Sequence, residues 1–250
     1  MARAIVDDMN DQFVPCVPTA RAVSVAVVPP AAAPAPAPNE ADQARIARNW
    51  DSLVAARDIS ENATLLHVQQ TSDVQVIVEP SVTYRDIVGM RYCGTPHAAP
   101  FRALSAMAVI RTSDDQVLLF ERDSGDWPRS YECPGGFVRA AAVPATVTDF
   151  IADRVAREVH ALTPERYELV GRYEFATILE HMYIYEVAVA ETAAAARARY
   201  GDHVFPIAAA DIPASVTGTH VGSLPLHSPS QRVLTALQAV TSSAEMAISR

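Results

Sequence analysis

The sequence predicts a mixed α/β domain in which helices cover a central mixed sheet. Three observations predict it. A strand–turn–strand hairpin begins at Leu104, a helix-period apolar stripe runs from Val147, and two more strand-like runs and a capped helix follow.

Taken in order, residues 1–39 read as a disordered tail, because "VVPPAAAPAPAPNE" is Pro/Ala-rich and favours extended, polyproline-like backbone. The domain is then expected over 40–250. A helix is predicted from Glu40 to Arg57, where Ile46, Trp50, Leu53 and Val54 recur at helical spacing. "DVQVIVEP" alternates and reads as a strand. "SVTYRDIVGMRYCGTPHAAP" is less regular and reads as a short strand and a loop. "LSAMAVIRT", the turn "SDDQ" and "VLLFERD" form a hairpin. A loop and a short strand through a double glycine lead to a helix from Pro144 to Leu162, with Val147, Ile151, Val155, Val159 and Leu162 as its apolar stripe. "YELVGRYEFAT" and "HMYIYEVAVA" are strands, "TAAAARARY" is a short helix, and "SPSQRVLTALQAV" is a helix with Ser228 as cap and Gln231 closing a capping box.

Composition narrows the function classes. The chain has 250 residues and a formal net charge of −9, which argues against nucleic acid as a partner, since such proteins carry a basic face. All 20 basic residues are arginine. Lysine chemistry is thereby excluded, and any phosphate contact must use arginine forks, backbone N–H groups or a metal. The three cysteines, Cys16, Cys93 and Cys133, lack metal-site spacing and fit free thiols in a reducing compartment. No apolar run is long enough to span a bilayer, and the early Asp7, Asp8 and Asp11 do not suit a targeting segment. The expectation is a cytoplasmic protein with no membrane partner.

From Leu104 to Val240 the chain resembles the Nudix hydrolase family. Pro134-Gly135-Gly136 matches its loop, and Arg157-Glu158-Val159 matches the Arg-Glu-aliphatic core of its helix motif. The resemblance implies an α/β/α sandwich with a long Nudix-type helix. It also implies cleavage of a diphosphate bond, in a nucleoside diphosphate derivative or a prenyl diphosphate, with Mg²⁺ or Mn²⁺ held by clustered carboxylates. Arg157 would brace the loop. The departures are specific. The family's glutamate after the second glycine is Ala142, its closing glutamate pair is Ala161 and Leu162, and the gap from Gly136 to Arg157 is roughly two helical turns longer than usual.

On this resemblance the catalytic candidates are Glu158, Arg157 and Glu180. Glu158, Glu132 and Asp153 are the candidate metal ligands, and Gly135, Gly136 and Trp127 the candidate contacts to a phosphate-containing small molecule. Other readings stand beside these. Asp149 and Asp153 favour a helix start or pair with Arg154 or Arg157, and Glu158 pairs with Arg154. The glycines permit a bend, and Trp127 caps the core. The alternative to a hydrolase is a ligand-sensing or partner-binding module of the same architecture, and a homodimer is left open.

Overall fold

The structure, a computed structural model, describes residues 11–19, 22–30, 40–57, 62–91, 101–122, 129–176, 178–212 and 220–248. Trp127 and Cys93 lie outside the described residues. The α/β class predicted above is the one observed. The strands are β1 (Gln12–Thr19), β2 (Ser24–Val27), β3 (Thr64–Thr71), β4 (Gln75–Thr83), β5 (Ala103–Arg111), β6 (Gln116–Arg122), β7 (Ser130–Glu132), β8 (Gly135–Phe137), β9 (Pro164–Phe175), β10 (Glu180–Val189) and β11 (Val204–Ala208), with a small hairpin of β12 (His220–Val221) and β13 (Leu224–Pro225). The helices are α1 (Glu40–Arg57), α2 (Tyr84–Arg91), α3 (Val147–Glu158), α4 (Ala193–Tyr200) and α5 (Ser228–Ile248).

One mixed sheet runs β1-β9-β10-β5-β3-β4-β2, and β6, β7, β8 and β11 branch from it at β5. At its centre β10 lies parallel to β5, from Glu180↔Ala103 to Ala188↔Arg111, and β9 flanks β10 antiparallel. Side chains alternate between the two faces of these strands. Tyr183, Tyr185 and Val187 join Val147, Ile151 and Val155 of α3 in one core. Met182 and Ile184 join Val233 and Leu234 of α5 in the other. The sheet is thus covered on both faces, and a third cluster of Ile46, Leu65, Ile87, Met90 and Phe101 attaches α1 and α2.

Two expectations are corrected. Part of the expected disordered tail is strand: β1 pairs with β9 antiparallel and β2 pairs with β4 parallel. Val23 is fully buried, Phe13 packs 5.7 Å from the Tyr173 ring, and Cys16 Sγ donates to Asp73 at 3.3 Å. The composition hid β1 because Pro15 and Pro18 argue against a central strand, yet an edge strand tolerates them. The stretch expected as a short strand and a loop instead carries β4 through to Thr83 and then α2. Thr83 and Asp86 cap α2 reciprocally, with Thr83 N–H donating to Asp86 at 3.0 Å and Asp86 N–H to Thr83 Oγ1 at 3.2 Å.

The boundaries of two other helices also move. α3 begins at Val147 under a capping box of Thr146 and Asp149, and Val159 and Leu162 stay buried beyond its end. α5 begins at Ser228 itself, and Gln231 N–H donates to the His227 carbonyl at 2.9 Å.

Candidate functional site

The Pro134-Gly135-Gly136 turn is held against β5. Ala108 N–H donates to the Pro134 carbonyl at 2.7 Å, and Gly135 and Gly136 pair with Met107 and Ala106. A Cβ at Gly135 would stand 2.4 Å from the Ala106 carbonyl oxygen, so the approach to β5 requires glycine. Gly136 has φ +143°, and its open side faces Arg154, whose Nη2 would lie 3.4 Å from an added Cβ.

The role expected of Arg157 falls to Arg154. Arg154 Nη2 donates to the Gly135 carbonyl and pairs with Glu158 one turn on. Arg157 pairs with Asp153, and both side chains are more than half exposed. Arg154 reaches the Gly135 carbonyl of β8, whereas Arg157, three residues on and about 60° round the helix surface, turns to Asp153 in solvent.

If the bracing arginine sets the motif frame, the family's three glutamate positions fall on Val155, Glu158 and Val159. The two valines are in the core, at 0% and 1% exposure. In either frame Glu158 is the carboxylate that remains.

The other candidates each meet an arginine. Glu132 Oε2 accepts from Arg122 at 2.7 Å and lies 3.6 Å from Nδ1 of the buried His227. Glu180 and Arg91 form a pair at 2.5 Å with side chains 8% and 4% exposed. Arg91 Nε also donates to the Ile178 carbonyl at 2.9 Å, and its guanidinium lies 5.5 Å from the centroid of Phe137, next to the glycines. Cys133 is buried, and its N–H donates to Ser230 Oγ at 3.0 Å, which ties the turn to α5.

Electrostatics connect these groups. Burial raises the Glu158 pKa above the usual carboxylate value, Arg154 opposes that, and Glu132 adds to it. Burial depresses the His227 pKa well below the ordinary imidazole value, aided by Arg122 and Arg91. The thiol of Cys133 is pushed up to about 12 by burial, then by Glu132, which removes it as a nucleophile at neutral pH.

The structure therefore brings Glu158 and Glu132 within electrostatic reach of each other beside the glycine turn and joins Glu180 to Arg91, whose guanidinium lies over Phe137. Asp153 is directed to the surface. Among the described residues no group of three or more His, Cys, Asp or Glu side chains is placed to hold a metal ion. The donor set does not fit Mg²⁺ or Mn²⁺, which take several oxygen ligands: the remaining glutamates are ion-paired, and valines occupy the adjacent positions of the helix.

Arg91, Arg122 and His227 are site members that sequence reasoning missed. The Arg154–Glu158 spacing was visible as an i,i+4 pair, but nothing in the sequence links Arg91 to Glu180.

No family model matches this chain, and no curated protein matches it. Among solved structures it is similar to a MutT from work on the Aliivibrio salmonicida and Vibrio cholerae proteins, at 15% identity and TM-score 0.35, over 55% of this chain and 98% of that one. It is similar to a mutT/nudix family protein from Listeria innocua, at 13% identity and TM-score 0.34, over 57% and 96% of the two chains. It is also similar to a chain in the complex between the C-terminal domain of mouse MUTYH and human PCNA, at 13% identity and TM-score 0.33, over 55% and 88%.

Proposed function

We propose that this chain is a Nudix-type domain that binds a phosphate-containing small molecule at the Gly135–Gly136 turn without metal-assisted hydrolysis. One observation carries the reading: each candidate carboxylate is ion-paired with an arginine, Glu158 with Arg154, Glu132 with Arg122, Glu180 with Arg91 and Asp153 with Arg157. Carboxylates so engaged are poor ligands for a hard cation. Arginine is itself the side chain suited to bidentate phosphate contact, and Arg154 Nε is a buried donor without a hydrogen-bond partner. A phosphate at the turn would take donors from Arg154 and Arg122 in exchange with Glu158 and Glu132. The hydrolase reading keeps one supporting observation, the coupling of Glu132 to Glu158, which places two carboxylates near the turn.

The test is phosphate release and thermal stability measured together. Pyrophosphate, nucleoside diphosphate derivatives and prenyl diphosphates are each supplied with Mg²⁺, Mn²⁺ or EDTA, beside Glu158→Gln. The expected result is no metal-dependent turnover, with one ligand class raising the melting temperature equally in metal and in EDTA. Metal-dependent release that Glu158→Gln abolishes would replace this reading with a hydrolase whose metal site is rebuilt around Glu158. An absence of both turnover and stabilisation across the panel would remove the phosphate-ligand reading.

A further inference from the structure

A second group of basic side chains lies on the opposite face of β10 from Glu180. His181 pairs in register with Glu174 of β9, and Tyr183 with Arg172, so these four side chains share one face. His181 is 8% exposed, its ring lies 5.8 Å from that of Tyr183, and its Nε2 is buried without a hydrogen-bond partner.

The surroundings are fixed in place. Arg172 donates to Thr71 Oγ1 at 2.9 Å and has its Nε 3.0 Å from Asp73. The Tyr183 hydroxyl donates to the Ser72 carbonyl at 3.0 Å, which draws the β3–β4 turn over this face. Arg102, just before β5, donates to the Phe101 carbonyl at 2.9 Å, and Glu174 supports its charge from the exposed end of β9.

A buried ring nitrogen normally has a partner. In β5 the register partner of His181 is Leu104, so Arg102, two residues earlier, shares this face, and the positive charges of Arg172 and Arg102 both act to lower the His181 pKa. The complement to an unpartnered imidazole N–H in positive surroundings is an acceptor that carries negative charge. We propose that His181, Arg102 and Arg172 form an oxyanion site that takes a phosphate group, separate from the glycine turn and on the other face of the strand.

Inorganic phosphate is the probe, titrated into the whole chain with histidine-selective ¹⁵N labelling, at constant ionic strength and with acetate as a carboxylate arm. The expected result is a saturable shift of the His181 Nε2 resonance by phosphate, with the imidazole titrating nearer the ordinary value than about 4 once phosphate is bound. Arg102→Gln weakens that binding by about ten-fold or more, the loss expected for one charge-assisted contact. Arg154→Gln leaves it unchanged. If Arg102→Gln does not fold, His181→Gln serves as the second variant, read by a drop in phosphate-dependent thermal stabilisation that persists in an Arg154→Gln background. No saturable shift in the wild-type protein would overturn the proposal, as would a shift by acetate alone. A shift that Arg154→Gln removes and Arg102→Gln keeps would place the anion at the glycine turn, overturning this site while supporting the other.

Discussion

Arg154 and Arg157 lie three residues apart on α3 and end in different surroundings, one against the Gly135 carbonyl and Glu158, the other with Asp153 in solvent. Removing Arg154 leaves a carbonyl and a half-buried carboxylate short of a donor, so Arg154→Ala should cost about 2 kcal/mol in urea unfolding. Arg157→Ala should cost less than about 1 kcal/mol, as exposed pairs do. Equal effects would contradict the assignment of the brace. The sequence offered both arginines beside the same glutamate. The two lie on neighbouring rows of the helix, so spacing alone did not show which one reaches the Gly135 carbonyl. His181 supplies a pH prediction. Burial and two guanidiniums lower its folded pKa from 6.5 to about 4. The unfolded chain then binds the proton first, so the contribution is present above about pH 6.5 and is lost as pH falls through about 4. Unfolding free energy should fall across that window, and His181→Gln should flatten the fall by up to about 3 kcal/mol.

Among the elements, the α3 start and the β8 turn are local and can be probed separately. The Thr146–Asp149 capping box closes two orphan donors, so Thr146→Ala should cost about 1 kcal/mol without altering ligand response. Gly135→Ala is a different event. Its Cβ would meet the Ala106 oxygen and Met107 Cα, both backbone, so β8 must leave β5 or β5 must shift. A loss of about 3 kcal/mol or more is expected, with the ligand response lost too, read in the same melts. α3 was legible because its apolar stripe shows at helical spacing, and the hairpin of β5 and β6 because two apolar runs flank a polar turn. α2 was not, although Thr83 and Asp86 spell a capping signal, because only a short apolar run, Ile87-Val88-Gly89-Met90, follows it.

For the whole molecule, the described residues before Arg91 include strands of the main sheet, and Arg91 itself belongs to the site. β1 and β2 form the two ends of the sheet's main run of strands, and α2 delivers Arg91 to Glu180. A chain beginning at Glu40 should therefore lose cooperative unfolding and become sensitive to limited proteolysis. Retention of a sharp transition in that truncation would show that the edge strands are dispensable. None of this could be read from a Pro/Ala-rich opening, since edge pairing depends on a partner far along the chain. That distance bears on synthesis. β1 is made well before its partner β9, Pro164–Phe175, so β1 must wait for a long stretch of synthesis before its contacts exist. Pro15 and Pro18 lack the N–H groups that a neighbouring chain would need, so the same residues that suit a sheet edge also guard the waiting strand against pairing with another nascent copy.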